Sequence, residues 1–153
     1  MEVNMQISAL LKEKARIAKV LFAKRHLDKV GKNGNGSETR IPQAKTQSEI
    51  ANKMNLTFQQ IQKYENAKNG IQADKLFKLC KTCNYDILKF FEGNPEEILK
   101  EIDQKKHPMI YKKFHEIDLN IIDEQKLNNR YLSELPKLEK EMAYQNTFKD
   151  YLG

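Results

Sequence analysis

Two short sequences, beginning at Thr46 and Thr57, constrain this chain more than any bulk property. Thr46-Gln47-Ser48-Glu49 and Thr57-Phe58-Gln59-Gln60 each place a hydroxyl three residues ahead of a Glu or Gln. In such a capping box the Thr oxygen takes up an orphan amide of the first helical turn, and the Glu or Gln reaches back to the cap. Each sequence therefore starts a helix. Ile50, Ala51 and Met54 follow the first, and Ile61 and Tyr64 follow the second at core spacing. Asn55 falls between them, where the chain needs a left-handed residue that Asn tolerates better than most.

Helical signals also dominate on either side. From about Val3 to Leu27, residues Ile7, Leu10, Leu11, Ala15, Ala18, Leu21 and Phe22 recur at three- and four-residue steps, predicting a long amphipathic first helix. The stretch of about 28–45 carries Gly31, Gly34, Gly36, Ser37 and Pro42, which deny it regular structure and predict a flexible insertion. After Asn69-Gly70, a fourth helix is expected over about Gln72 to Thr82, burying Leu76, Leu79, Cys80 and Cys83. A fifth, about Tyr85 to Glu92, is expected to bury Leu88 and Phe91 and stop at Gly93. Asn94-Pro95-Glu96-Glu97 combines an N-cap, Pro at the first helical position and acidic residues in the first turn, so another helix begins there. His107-Pro108 interrupts it. Further helices are expected at about 109–117 and 121–145, with a kink or break at Pro136. The expected fold is all-α, a five-helix core with extra C-terminal helices. The expected domains are 1–93 and a C-terminal extension, 94–153.

Charge divides the chain in the same place. Residues 1–93 hold 17 basic and 9 acidic side chains, net +8, whereas 94–153 hold 10 and 12, net −2. The basic half is the candidate for a polyanionic partner. No apolar run approaches the ~18 residues of a membrane span, and the polar start does not read as a secretory leader. A soluble protein of the cytoplasm, without membrane association, is the expectation.

A helix-turn-helix needs a small residue where its helices cross, a left-handed turn residue four positions later and a branched apolar residue six further on. Ala51, Asn55 and Ile61 meet these spacings. The second helix then presents Thr57, Phe58, Gln59, Gln62 and Lys63 outward, N-terminus leading, as a recognition helix enters a major groove. Gln59 can pair bidentately with adenine, Lys63 can approach guanine acceptors and Phe58 can press on a thymine methyl.

These residues resemble the Cro/repressor-type (XRE-like) helix-turn-helix regulators of the lambda-repressor-like fold. The resemblance covers about Ile17 to Gly93 without the insertion and is closest across LTFQQIQKYENAKNGIQADKLFKLCKTCNYDILKFFEG. A bacterial subgroup carries a very similar TFQQIQKYE recognition helix. The resemblance implies that Gln47 and the residues after the recognition helix, Asn66, Lys68 and Asn69, hold DNA phosphates. Where the subgroup has Gly and Arg after that helix, this chain has Ala67 and Gly70, so one expected phosphate contact is absent. The 28–45 segment replaces a tight turn, and its Lys29, Lys32, Arg40 and Lys45 are candidates for an arm on the duplex. The resemblance does not extend to the part beyond Gly93.

Other chemistry lacks candidates. Cys80 and Cys83 have CxxC spacing, but no second Cys/His pair lies near, and core packing as reduced thiols is the better reading. His26, His107 and His115 are scattered, and no catalytic set or P-loop is evident. Neither cofactor, metal nor small-molecule effector is expected. The leading expectation is a sequence-specific regulator on duplex DNA, a homodimer on a near-palindromic operator through the C-terminal helices. The alternative is an antitoxin or similar interaction module whose C-terminal helices bind a partner protein.

Overall fold

The computed structural model describes residues 7–30 and 46–152, with the side chains of Leu132 and of 134–152 left aside. Among the described residues every regular element is a helix: α1 Ala9–Val30, α2 Gln47–Met54, α3 Phe58–Glu65, α4 Ala73–Cys83, α5 Leu88–Glu92, α6 Pro95–Leu99 and α7 Pro108–Leu152. By its contacts the chain divides into two units, Met1–Ile121 and Ile122–Gly153.

The first unit is built around α1. Leu11, Ala15, Ala18, Leu21 and Phe22 are buried as their spacing requires, and Val20, Ala23 and Leu27 join them. Leu10, expected on the same face, is exposed, and its neighbour Leu11 fills the core position in that turn. The helix also runs past Leu27 to Val30, so 28–30 belong to α1 rather than to the insertion.

Ile50, Ala51 and Met54 from α2, Ile61 and Tyr64 from α3, and Leu76, Leu79, Cys80 and Cys83 from α4 complete the inner core. Both thiols pack into it, and burial pushes each up to about 11. Among the described residues, three other than glycine take a left-handed backbone: Asn55 at φ 55°, Asn84 at φ 56° and Ala67 at φ 58°. The two asparagines end α2 and α4. Ala67 is a methyl-bearing residue in the same conformation and is buried.

The fifth helix differs from its expectation. It begins at Leu88, and it buries Phe90 instead of Leu88 and Phe91, which are about half exposed. The cause is its shortness: a single turn anchored by one aromatic leaves the flanking residues outside. Gly93 ends it at a close approach, since a Cβ there would lie 2.4 Å from the Lys89 carbonyl oxygen.

The expected boundary after Gly93 is not where the contacts divide. Asn94 caps α6 through its side chain, with Pro95 at the helix start, and α6 then buries Ile98 and Leu99, with Ile102 following. α7 opens at Pro108 and adds Phe114, Ile117 and Ile121 to the same core as α1. Phe114 faces Phe22 with ring centroids 6.4 Å apart. Lys19 of α1, almost buried, reaches Asp118 at 2.7 Å and lies 5.3 Å from the Phe114 ring centre. The Tyr111 hydroxyl shares its proton between the Leu99 and Ile102 carbonyls at 2.8 and 2.7 Å. The two helices expected at 109–117 and 121–145 are one helix, continuous through Pro136. In the second unit, Gln125 donates to Asn129 one turn on at 2.8 Å.

Candidate nucleic-acid interface

The two capping sequences set the geometry of the interface. At α2 the Thr46 hydroxyl accepts from the Glu49 amide at 3.0 Å and donates to the Glu49 carboxylate at 3.2 Å. At α3 the box is reciprocal: Thr57 Oγ1 accepts from the Gln60 amide at 3.2 Å, and the Gln60 side chain accepts from the Thr57 amide at 3.0 Å. Between them the Asn55 amide returns to the Ala51 and Asn52 carbonyls, and the Leu56 amide to Ala51 at 2.9 Å. Ala51 and Ile61 are both buried at the crossing of the two helices. The three-point spacing thus gives two short helices joined by a tight turn.

α3 then divides cleanly into faces. Ile61, Tyr64 and Glu65 point inward, whereas Phe58, Gln59, Gln62 and Lys63 are exposed. Thr57 is exposed too, but its hydroxyl is engaged by its own helix as the cap. It therefore shapes the entry of α3 more than it can serve a base.

Behind α3 stands a feature that sequence reasoning missed. Glu65 is essentially inaccessible at 1% exposure, yet it is ionisable. Arg25 of α1 clasps it with two donors, Nη2 to Oε1 at 2.8 Å and Nε to Oε2. Gln47 Nε2 of α2 donates to the same Oε1 at 3.0 Å. One carboxylate thus ties three helices together through charge-assisted bonds. A Glu beside the core positions Ile61 and Tyr64 was the available signal.

The residues implied to hold phosphates are distributed around this centre. Gln47 keeps one amide hydrogen beyond the bond to Glu65. Asn66 ends α3, and its backbone carbonyl accepts from Asn120 Nδ2 of α7 at 2.8 Å. Lys68 and Asn69 are exposed on a groove shared with Gln72 and Lys75. Of the arm candidates, Lys29 is exposed on the last turn of α1, while Lys32, Arg40 and Lys45 lie outside the described residues.

A cleft of about 630 Å³ opens between α1, the first turn of α2, α3 and α7. Arg25, His26 and Lys29 line it from α1, Phe58 and Gln62 from α3, and Lys113, Glu116 and Asn120 from α7. The His26 ring lies tilted against Phe22 with centroids 4.3 Å apart, and its Nε2 faces Arg25 Nη2 at 3.0 Å. A guanidinium can only donate, so Nε2 accepts and the ring is neutral. Burial, then the charges of Arg25, Lys29 and Lys113, hold its pKa down at about 3.

A family model described as helix-turn-helix matches residues 37–90, which is 54 of the 153 residues. The match spans α2 to α4, reaches into α5 and supports the resemblance to Cro/repressor-type regulators. No curated protein and no solved structure gives a significant match. Among the described residues, no helix is long and apolar enough to cross a membrane.

Proposed function

We propose that the protein is a sequence-specific regulator that reads duplex DNA in the major groove through α3. The observation that carries this reading is the exposed face of Phe58, Gln59, Gln62 and Lys63 on a helix capped at its entry and anchored from behind by Glu65. Gln59 and Lys63 stand one turn apart at i and i+4, so they address neighbouring base pairs from one side. Gln47, Asn66, Lys68 and Asn69 flank that face and set its register through phosphates, which look alike at every step.

A homodimer on a near-palindromic operator completes the proposal, because one such module buries too little surface for tight binding. Support comes from α7, where Leu127 and Tyr131 are exposed at a spacing of four. Selection from a random duplex library, followed by a genome-wide binding profile, tests it: a single motif with two half-sites is expected. Recovery of no enriched motif would refute sequence-specific reading.

A further inference from the structure

The cleft beside α3 is walled on one side by a helix that has no place in the helix-turn-helix match, since α7 begins at Pro108. Lys113 lies in the second turn of α7, is exposed, and has no ion-pair partner among the described residues. Across the cleft stand Lys29 and Arg25, and Lys68 lines its rim. Two carboxylates share the lining: Glu65, already taken up by Arg25 and Gln47, and Glu116, which is exposed. Arg25 and Glu65 cancel one another within the fold, so Lys29, Lys68 and Lys113 stand against Glu116 and leave the cleft positive. The same convergence is felt at His26, where Arg25, Lys29 and Lys113 all oppose protonation.

We propose that Lys113 holds a backbone phosphate of the duplex in this cleft, making the start of α7 part of the DNA-binding face, with Glu116 opposing it. The proposal rests on the reading of α3 as the recognition helix. Three features favour a phosphodiester. Phe58 and Gln62, on the outward face of α3, share the cleft with Lys113, so a duplex seated on α3 brings its backbone to the lysine. Lysine acts on phosphate as a point charge and needs no fixed fork geometry. Gln47, whose amide has a hydrogen to spare, lines the same cleft from α2. Asn120, one turn beyond Glu116, is bonded to the end of α3 and fixes the register of α7 against it.

The test is a fluorescence-anisotropy titration of the full-length protein with a selected duplex and with an unrelated duplex, at several salt concentrations. Each phosphate neutralised contributes about 0.9 to the slope of log affinity against log salt. Lys113→Ala is expected to lower that slope by about one and to weaken binding about eight-fold at ~0.1 M salt on both duplexes alike. Lys113→Arg is expected to retain the slope, and Glu116→Gln to tighten binding at low salt. Both side chains are exposed, so circular dichroism should be unchanged. An unchanged slope in Lys113→Ala, with salt-dependent binding intact in the parent protein, would overturn the role of α7 and leave α3 untouched. If the parent protein itself shows no salt-dependent duplex binding, the reading of α3 fails and this proposal falls with it. Inorganic phosphate at matched ionic strength separates a free anion from the duplex. Competition that disappears in Lys113→Ala while the DNA slope stays unchanged would assign the cleft to a free anion and overturn the proposal.

Discussion

Asn120 of α7 donates its side-chain amide to the backbone carbonyl of Asn66 at 2.8 Å, closing the C-terminal end of α3 from a point 54 residues along the chain. A helix end leaves its last carbonyls without partners inside the helix, and here a side chain from outside the matched domain supplies one. Together with Phe114, Ile117 and Ile121 in the core, this bond makes the start of α7 a structural member of the helix-turn-helix unit.

It follows that a chain ending at Gly93 will not fold cooperatively, because it loses Ile98, Leu99, Ile102, Phe114, Ile117 and Ile121 from a single core. In the full protein, Phe114→Ala is expected to cost about 3–5 kcal/mol through lost burial and the cavity left behind. Urea unfolding followed by circular dichroism measures both. A sharp transition in the shortened chain would show that the core closes without α7.

Arg25→Ala is expected to destabilise the fold by about 3–5 kcal/mol, since it leaves the buried Glu65 carboxyl without its ion-pair partner and with Gln47 as its remaining bonded side chain. Replacing Arg25 and Glu65 together by Met should recover much of that loss, because an apolar pair of similar volume removes the desolvation cost. Equal stability of the single and double variants would contradict this account.

At the interface, Gln59→Ala and Lys63→Ala should each flatten base preference at a different position, at about 1–3 kcal/mol for the matched base. Gln47→Ala should weaken all duplexes alike and also cost about 1 kcal/mol of stability through its bond to Glu65. Selection from a random library distinguishes these outcomes, and an altered motif for Gln47→Ala would reverse the roles.

The state of His26 predicts a pH dependence. Its folded pKa of about 3 lies below the ordinary value, so the unfolded chain binds a proton that the folded chain refuses. Stability should therefore be full above about pH 6.5 and fall as the pH drops below it, by up to ~1.4 kcal/mol per pH unit for one proton. His26→Gln, which can still accept from Arg25, should flatten the profile between about pH 6.5 and 5, above the range where carboxylates titrate. Urea midpoints across that window measure it.

Cys80 and Cys83 should resist alkylation in the folded protein at pH 8, as both thiols are buried and raised to about 11. Mass spectrometry after iodoacetamide treatment, with and without denaturant, checks this; rapid native labelling would mean that α4 opens readily.

Much of this architecture is legible in local sequence. The starts of α2 and α3 and the left-handed Asn55 follow from residues within four positions of one another, and the structure places them accordingly. The outward face of α3 follows from the same short-range period. What sequence reasoning misses is non-local. Arg25 and Glu65 are 40 residues apart, and neither bears a local mark of its partner. The core role of α7 is hidden for a related reason: Phe114, Ile117 and Ile121 suit an interface between copies as well as an internal core, and periodicity does not say which. At α5 one turn is too short for a period to choose between Phe90 and Phe91.

Ala67 bears on how freely this domain can vary. A left-handed backbone costs an L-residue about 1–2 kcal/mol relative to its preferred region. Glycine would remove that strain, yet it would forfeit a buried methyl worth ~0.8 kcal/mol and bring a further ~0.5–1 kcal/mol of chain entropy to be lost on folding. The opposing quantities are nearly equal. Exchange between Ala and Gly at this turn is therefore close to neutral, and a lineage can drift between the two without leaving the fold.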